Sequence, residues 1–132
     1  MCDPTHRPRS WGFRFSATDA VVIGVCAAAA FALQRLANPL WWLLLVVAGH
    51  FFLFCNIFRV RRSFELFWAA CFLVNCALWL LLGRLGAFPV LATQLPLTAL
   101  VIFMEVRSDR YHGIFAIRAN PRLNDYLEGR IQ

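Results

Sequence analysis

The sequence predicts an all-α integral membrane protein: a four-helix bundle of four transmembrane helices, both termini cytoplasmic, with a short cytoplasmic C-terminal helix. Three observations predict it: four apolar runs of near-spanning length, a composition 61% hydrophobic and only 15% charged, and arginines placed between and beyond the runs. A spanning helix needs about 20 mainly apolar residues, and soluble domains are about a quarter charged. A soluble fold of this composition would expose apolar patches larger than monomers tolerate. The organisation is then a basic aromatic tether (1–18), a transmembrane domain (19–104) with spans at about 20–37, 39–58, 64–82 and 88–104, and a cytoplasmic tail (105–132).

The tether carries Arg7, Arg9 and Arg14 against Asp3 alone, with Trp11, Phe13 and Phe15 interleaved, a pattern suited to the membrane surface. Thr18 offers a hydroxyl cap for the first helix, and Asp19 a carboxylate at its positive end. The block Ala27–Ala30 would let a second helix approach closely. A rival reading makes this run a cleaved signal peptide, with Arg7 to Arg14 as its basic region, Val21 to Leu33 as its apolar core and the alanines as the cleavage site. The run is long for that, and Arg35 and the next apolar run follow at once, so a retained helix is the preferred reading.

Pro39 is placed at the first turn of the second span, where a missing N–H is harmless, and Trp41 and Trp42 read as interfacial anchors. The tract Arg59-Val60-Arg61-Arg62 is short enough to make the second and third spans an antiparallel hairpin, with Ser63 as cap and Glu65 in the first turn. Gly83 to Gly86 makes the next connection. Pro96 interrupts the fourth run and predicts a kink near Thr93, the freed carbonyl being satisfied by Thr93, Gln94 or Thr98. In the tail, Gly113 reads as a helix stop, and Asn120-Pro121 as the start of a short helix with Leu123, Tyr126, Leu127 and Ile131 on one side.

Orientation follows from charge. All 13 basic residues are arginine; eleven fall in the tether, the 59–62 turn and the tail, against Arg35 and Arg84 on the opposite side. The positive-inside rule puts the eleven in the cytoplasm, in a bacterial-type inner membrane. The same distribution argues against nucleic acid, since no groove-reading or base-stacking motif accompanies the charge.

Few polar groups lie inside the membrane. His50 is eight residues, about 12 Å, from the cytoplasmic end of its span. A buried imidazole is either a neutral group bonded to a neighbouring helix or a cofactor ligand; haem through His50 would need a second histidine from an oligomeric partner, because His6 and His112 lie outside the spans. No cofactor is otherwise predicted. Glu65, Trp68, Phe72, Asn75 and Trp79 recur at intervals of three and four and share one face, read as the side packed on the second helix, with the lining of a small-molecule or quinone pocket as the alternative. Counting from the turn places Asn56 level with Glu65 and His50 level with Cys71 or Phe72. Arg61 and Arg62 are spaced for a local ion pair with Glu65, and the cluster Arg59, Arg61 and Arg62 for anionic lipid headgroups.

Five cysteines show no C-x-x-C spacing, and H-E-x-x-H, G-x-S-x-G and phosphate-cradling loops are missing, so neither a catalytic residue nor a metal site is indicated. The preferred function is a non-catalytic accessory or assembly subunit, whose partners are the lipid bilayer and other membrane subunits or a second copy of the chain. A redox-linked protein using His50 in an oligomer, and a small oligomeric transporter, are the alternatives. In size and span count the chain is similar to the small multidrug-resistance transporters. That family depends on a carboxylate within the first span, and here the first span has only Asp19 at its edge and Gln34 near its far end.

Overall fold

The computed structural model describes residues 11–130, which hold helices and connecting turns but no strand. The elements are α1 (Ala17–Arg35), α2 (Trp41–Phe52) continued by a π turn (Leu53–Ile57), α3 (Arg62–Leu81), α4 (Ala87–Val106), and two short helices, α5 (Ala116–Ala119) and α6 (Leu123–Leu127). α1, α3 and α4, with 19, 20 and 20 residues, are long and apolar enough to cross a membrane. The second apolar segment, Trp41–Ile57, is shorter. Residues 1–10, with Asp3, His6, Arg7 and Arg9 of the expected tether, and Ile131, expected on the C-terminal helix, lie outside the described residues.

The helix boundaries differ from the sequence expectation for identifiable reasons. α1 starts before Thr18, because Ser16 forms a reciprocal capping box with Asp19: its hydroxyl accepts from the Asp19 N–H at 3.3 Å, and its own N–H donates to the Asp19 carboxylate at 2.8 Å. α2 starts two residues after Pro39, since Asn38 Oδ1 accepts from the Leu40 N–H at 2.9 Å and holds Pro39 in a turn. Arg61, in extended backbone, precedes α3, so Ser63 lies inside the helix and caps nothing.

α1 runs along α2, and α3 along α4. Cys26, Ala27, Ala48 and Gly49 line a shared cleft between α1 and α2, and a Cβ at Gly49 would meet nothing within 4 Å. α2 and α3 meet through large rings instead, with Phe54 edge-on to Trp68 at 5.4 Å. The expected hairpin is therefore held apart by aromatic side chains rather than closely paired. Trp42, Phe54, Trp68, Phe72, Val90 and Val101 form the core; Trp42 is thus a core residue and not an interfacial anchor.

Much of the outer surface of these helices is apolar: Val21, Val25, Leu73, Leu81 and Phe88 are all exposed. That pattern is consistent with a membrane protein, because lipid solvates such side chains and water does not. After α4 the chain folds back under the bundle. Tyr111, Ala116 and Leu123 make a second small core with Phe58, Val106 and Leu127. The Ile114 N–H donates to the Ile57 carbonyl at 2.9 Å, the Gly12 N–H to the His112 carbonyl at 2.9 Å and the Arg14 N–H to the Asn56 carbonyl at 3.1 Å. These bonds bring the start of α1, the 57–62 turn and the tail to one end of the molecule. Gly113 is needed there for space: a Cβ would lie 2.5 Å from the Phe58 carbonyl oxygen. It does not stop a helix, since α4 has already ended at Val106.

Candidate functional site

One network of polar side chains joins α2, α3 and α4. His50 Nδ1 lies 2.9 Å from the Val46 carbonyl oxygen, which only accepts, so the proton of a neutral imidazole belongs on Nδ1. Its Nε2 lies 3.3 Å from Thr98 Oγ1. The same hydroxyl accepts from Trp68 Nε1 at 2.8 Å and is placed to donate to the Gln94 carbonyl at 3.1 Å. Trp68 also covers the imidazole, with ring centroids 4.4 Å apart and planes inclined by 22°. Thr98 is the junction: its single proton is shared between Nε2 of His50 and the Gln94 carbonyl.

One turn along, Asn75 Nδ2 donates to the Val90 carbonyl at 3.0 Å and to Gln94 Oε1 at 3.1 Å, while its Oδ1 accepts from Thr93 Oγ1 at 2.9 Å. Gln94 Nε2 reaches the Trp68 carbonyl at 3.4 Å, and Trp79 Nε1 donates to Thr93 Oγ1 at 3.2 Å. Gln94 and Thr98 are buried, as is Trp68. Such groups are stable in an apolar interior when they satisfy one another, as they do here.

This arrangement corrects the face assignment. Trp68, Asn75 and Trp79 turn their polar atoms to α4, not to the second helix, because α4 supplies the hydroxyls and carbonyls and α2 supplies mainly rings. His50 stacks on Trp68, one turn from the expected Cys71 or Phe72. The π turn, in which the Phe58 N–H bonds Leu53 and the Val60 N–H bonds Phe54, contributes to this offset, because its residues rise less along the axis than those of an α-helix. Thr93, Gln94 and Thr98 do not serve the carbonyl of Ala92 that Pro96 leaves free; their side chains make the interhelical bonds just described and bonds to the carbonyls of Pro89, Val90 and Gln94.

At the arginine end the expected local ion pair is replaced by a longer-range one. Arg61 Nε contacts Glu105 Oε2 at 3.0 Å, with its main-chain N–H 3.4 Å from the same oxygen. Glu105 is 1% exposed, whereas the Arg61 side chain is 42% exposed and also covers the Phe64 ring at 4.7 Å. Glu65 accepts instead from Cys55 Sγ at 3.6 Å. Asn56 faces α1 rather than Glu65, lining a small cavity with Asp19, and its buried Nδ2 has no hydrogen-bond partner. Arg59 takes a left-handed φ of 50°, and burial holds its guanidinium below the usual range. Arg62 is exposed.

Below them, Tyr111 donates its hydroxyl to the Ile114 carbonyl at 2.5 Å. Burial, with the Glu105 carboxylate nearby, pushes its phenol up to about 12. Asn120 Nδ2 donates to the Asp109 and Tyr111 carbonyls at 2.7 and 2.9 Å, while its Oδ1 accepts from Arg122 N–H at 2.9 Å. Asn120 thus pins the tail instead of capping a helix at Pro121, and α6 starts only at Leu123.

Sequence reasoning missed Thr98 and Glu105 as site members. Both were visible as polar residues in or at the end of an apolar run, but their partners are 30 and 44 positions away. Cys26, Cys55, Cys71 and Cys76 are free thiols. Among the described residues no three His, Cys, Asp or Glu side chains converge as metal ligands would. A groove of about 400 Å³ opens between α3 and α4, lined by Phe67, Val74, Leu78, Asn75 and Thr93 among others.

Together these features define a helical protein with membrane-type apolar helices and an internal polar seam. No family model, curated protein or solved structure matches this chain.

Proposed function

We propose that the chain is a four-pass inner-membrane protein with both termini in the cytoplasm, acting as a non-catalytic accessory or assembly subunit of a membrane complex. The observation that carries this reading is the mutual hydrogen bonding of the polar side chains along the α2–α3–α4 seam, of which Trp68, Gln94 and Thr98 are buried. His50, Trp68, Asn75, Trp79, Thr93, Gln94 and Thr98 bond to one another or to backbone across three helices. Polar side chains engaged in this way act as helix-helix glue. A haem ligand at His50 would have to exchange Thr98 for iron and lose the indole that covers its ring, so the redox alternative gains no support.

The four-span topology draws on two features. Trp41–Ile57 has 17 residues, which would rise about 25 Å as a regular α-helix and less with its π turn, so this span needs its flanking apolar residues Leu40 and Phe58 to approach the hydrocarbon thickness of about 30 Å. The described part of the tether, the 57–62 turn and the tail meet at one end, as an even number of crossings requires, and these segments hold nine of the eleven arginines among the described residues. The packing of α1 along α2 supports its retention as a span. Remaining exposed apolar faces of α1, α3 and α4 face lipid or partner subunits.

Purification in mild detergent, with an absorption spectrum and the mass of the eluted assembly, tests the reading. A stoichiometric complex without a Soret band is the expected outcome. A monodisperse monomer overturns the subunit assignment, and a Soret band lost on His50→Ala would establish the redox alternative. Reporter fusions at the two termini test orientation independently.

A further inference from the structure

We propose that the Phe115–Arg118 segment is a membrane-insertion wedge that seats the tail in an anionic lipid leaflet; this rests on the membrane reading above. Phe115 and Ile117 are 67% and 63% exposed, although Tyr111, Ala116 and Leu123 around them are buried. Phe115 takes a left-handed backbone with φ 60°, a conformation unfavourable for a non-glycine residue. The surrounding bonds impose it: Tyr111 holds the Ile114 carbonyl, and Gly113 is pressed onto the Phe58 carbonyl. The fold therefore keeps a strained backbone and leaves a large ring uncovered.

The depth of the segment names what covers it. Ile114 is hydrogen-bonded to Ile57, the last residue of the second apolar helical segment, so the wedge lies at the level where that segment leaves the apolar layer. Trp11 shares a cleft with Ile117, and Phe13 and Phe15 pack edge-on to Phe52 at 6.0 and 5.9 Å, extending the apolar border. Exposed Arg14 and Arg118 are interleaved with these rings. Aromatic and aliphatic side chains alternating with guanidinium groups at this depth match acyl chains below anionic headgroups. A partner protein would have to displace lipid already present at that level.

The full-length chain, reconstituted into vesicles of phosphatidylglycerol and phosphatidylcholine, carries Phe115→Trp or Ile117→Trp, and the emission added over the parent protein is read. Brominated acyl chains are expected to remove most of that added emission, aqueous iodide little of it, and bromine quenching should weaken in phosphatidylcholine alone. Ile117→Trp keeps the test valid if position 115 rejects indole. Added emission quenched by iodide overturns the wedge, as does emission shielded from both quenchers, which would mean a protein contact. Failure of the parent chain to float with vesicles would instead overturn the membrane reading.

Discussion

The imidazole of His50 and the indole of Trp68 are stacked 4.4 Å apart, and both rings point a nitrogen at the same atom, the Thr98 hydroxyl. One hydroxyl on α4 thereby fixes ring positions on α2 and α3. Thr98→Val keeps the shape and leaves Trp68 Nε1 and His50 Nε2 without partners. In membranes a side-chain hydrogen bond contributes about 0.6 kcal/mol on average, whereas an orphaned buried polar group costs about 1–3 kcal/mol. The orphaning term dominates, so Thr98→Val is expected to destabilise by roughly 2 kcal/mol in detergent unfolding, and Thr98→Ser by much less. Combining Thr98→Val with Trp68→Phe removes one orphan and should recover part of the loss. A Thr98→Val protein as stable as the parent would show that the junction is not structural.

At the arginine end, Arg61 and Glu105 predict an asymmetric pair of variants. Glu105 is almost fully buried and Arg61 is half-exposed, so the pair lies between surface bridges at about 0–1 kcal/mol and buried ones whose breakage costs about 3–5 kcal/mol. Arg61→Met leaves a buried carboxylate without its cation and should cost roughly 2 kcal/mol; Glu105→Gln leaves only a half-exposed guanidinium and should cost less. Thermal unfolding of both variants in one detergent decides the order. The reverse order would mean that Arg61, not Glu105, is the dependent partner.

What could be read in advance follows a physical division. Helices written by apolar runs and arginine tracts were legible because hydropathy is a local property: α3 and α4 lie within a few residues of 64–82 and 88–104. The stripe Trp68, Asn75 and Trp79 was legible as one face for the same reason. Its partner was not, because which helix a face meets depends on ring size and backbone approach. The large rings of Trp68 and Phe54 lie between the second helical segment and α3, while α1 runs along α2. The π turn at Leu53–Ile57 has no signature in the run of Leu, Phe, Cys, Asn and Ile, yet it shortens the path from the turn to His50 and carries Asn56, which lines a cavity with Asp19. Glu105 reads as the start of an aqueous or interfacial tail because a carboxylate at the end of a run is ordinarily solvated; in the fold it is buried and paired with Arg61, 44 positions earlier.

The tail also predicts a pH dependence. The folded chain holds the Tyr111 proton more tightly than the unfolded chain, the phenol being raised from 10.0 to about 12. Its contribution is complete below about pH 10 and is lost as pH rises from there toward 12. In a Tyr126→Phe background Tyr111 is the sole tyrosine, and its ultraviolet tyrosinate transition should fall well above the ordinary phenol value and coincide with release of the tail. Tyr111→Phe removes the hydroxyl bonded to Ile114 and should cost about 1 kcal/mol. A transition near pH 10 in the folded protein would contradict the buried placement.

Gly113 gives the most local test of how the tail is attached. A Cβ there would sit 2.5, 2.8 and 2.9 Å from Phe58 O, Phe58 C and Ile57 O, all backbone atoms of the turn that follows the π segment. Backbone cannot rotate aside as a flexible side chain does, so Gly113→Ala must push the two strands of chain apart. The first bond affected is the Ile114 N–H to the Ile57 carbonyl, immediately beside the clash. The helices α1 to α4 have their own core and do not pass through this contact, so they should keep their fold. Gly113→Ala is therefore expected to leave helical content unchanged while limited proteolysis cleaves between Arg107 and Arg122 much faster than in the parent. Gly86→Ala is the control, since its Cβ would meet nothing closer than 3.7 Å and its helix-end backbone is extended. Equal proteolysis of Gly113→Ala and the parent would show that the tail is held elsewhere, with Asn120 and the Tyr111 core as the remaining anchors.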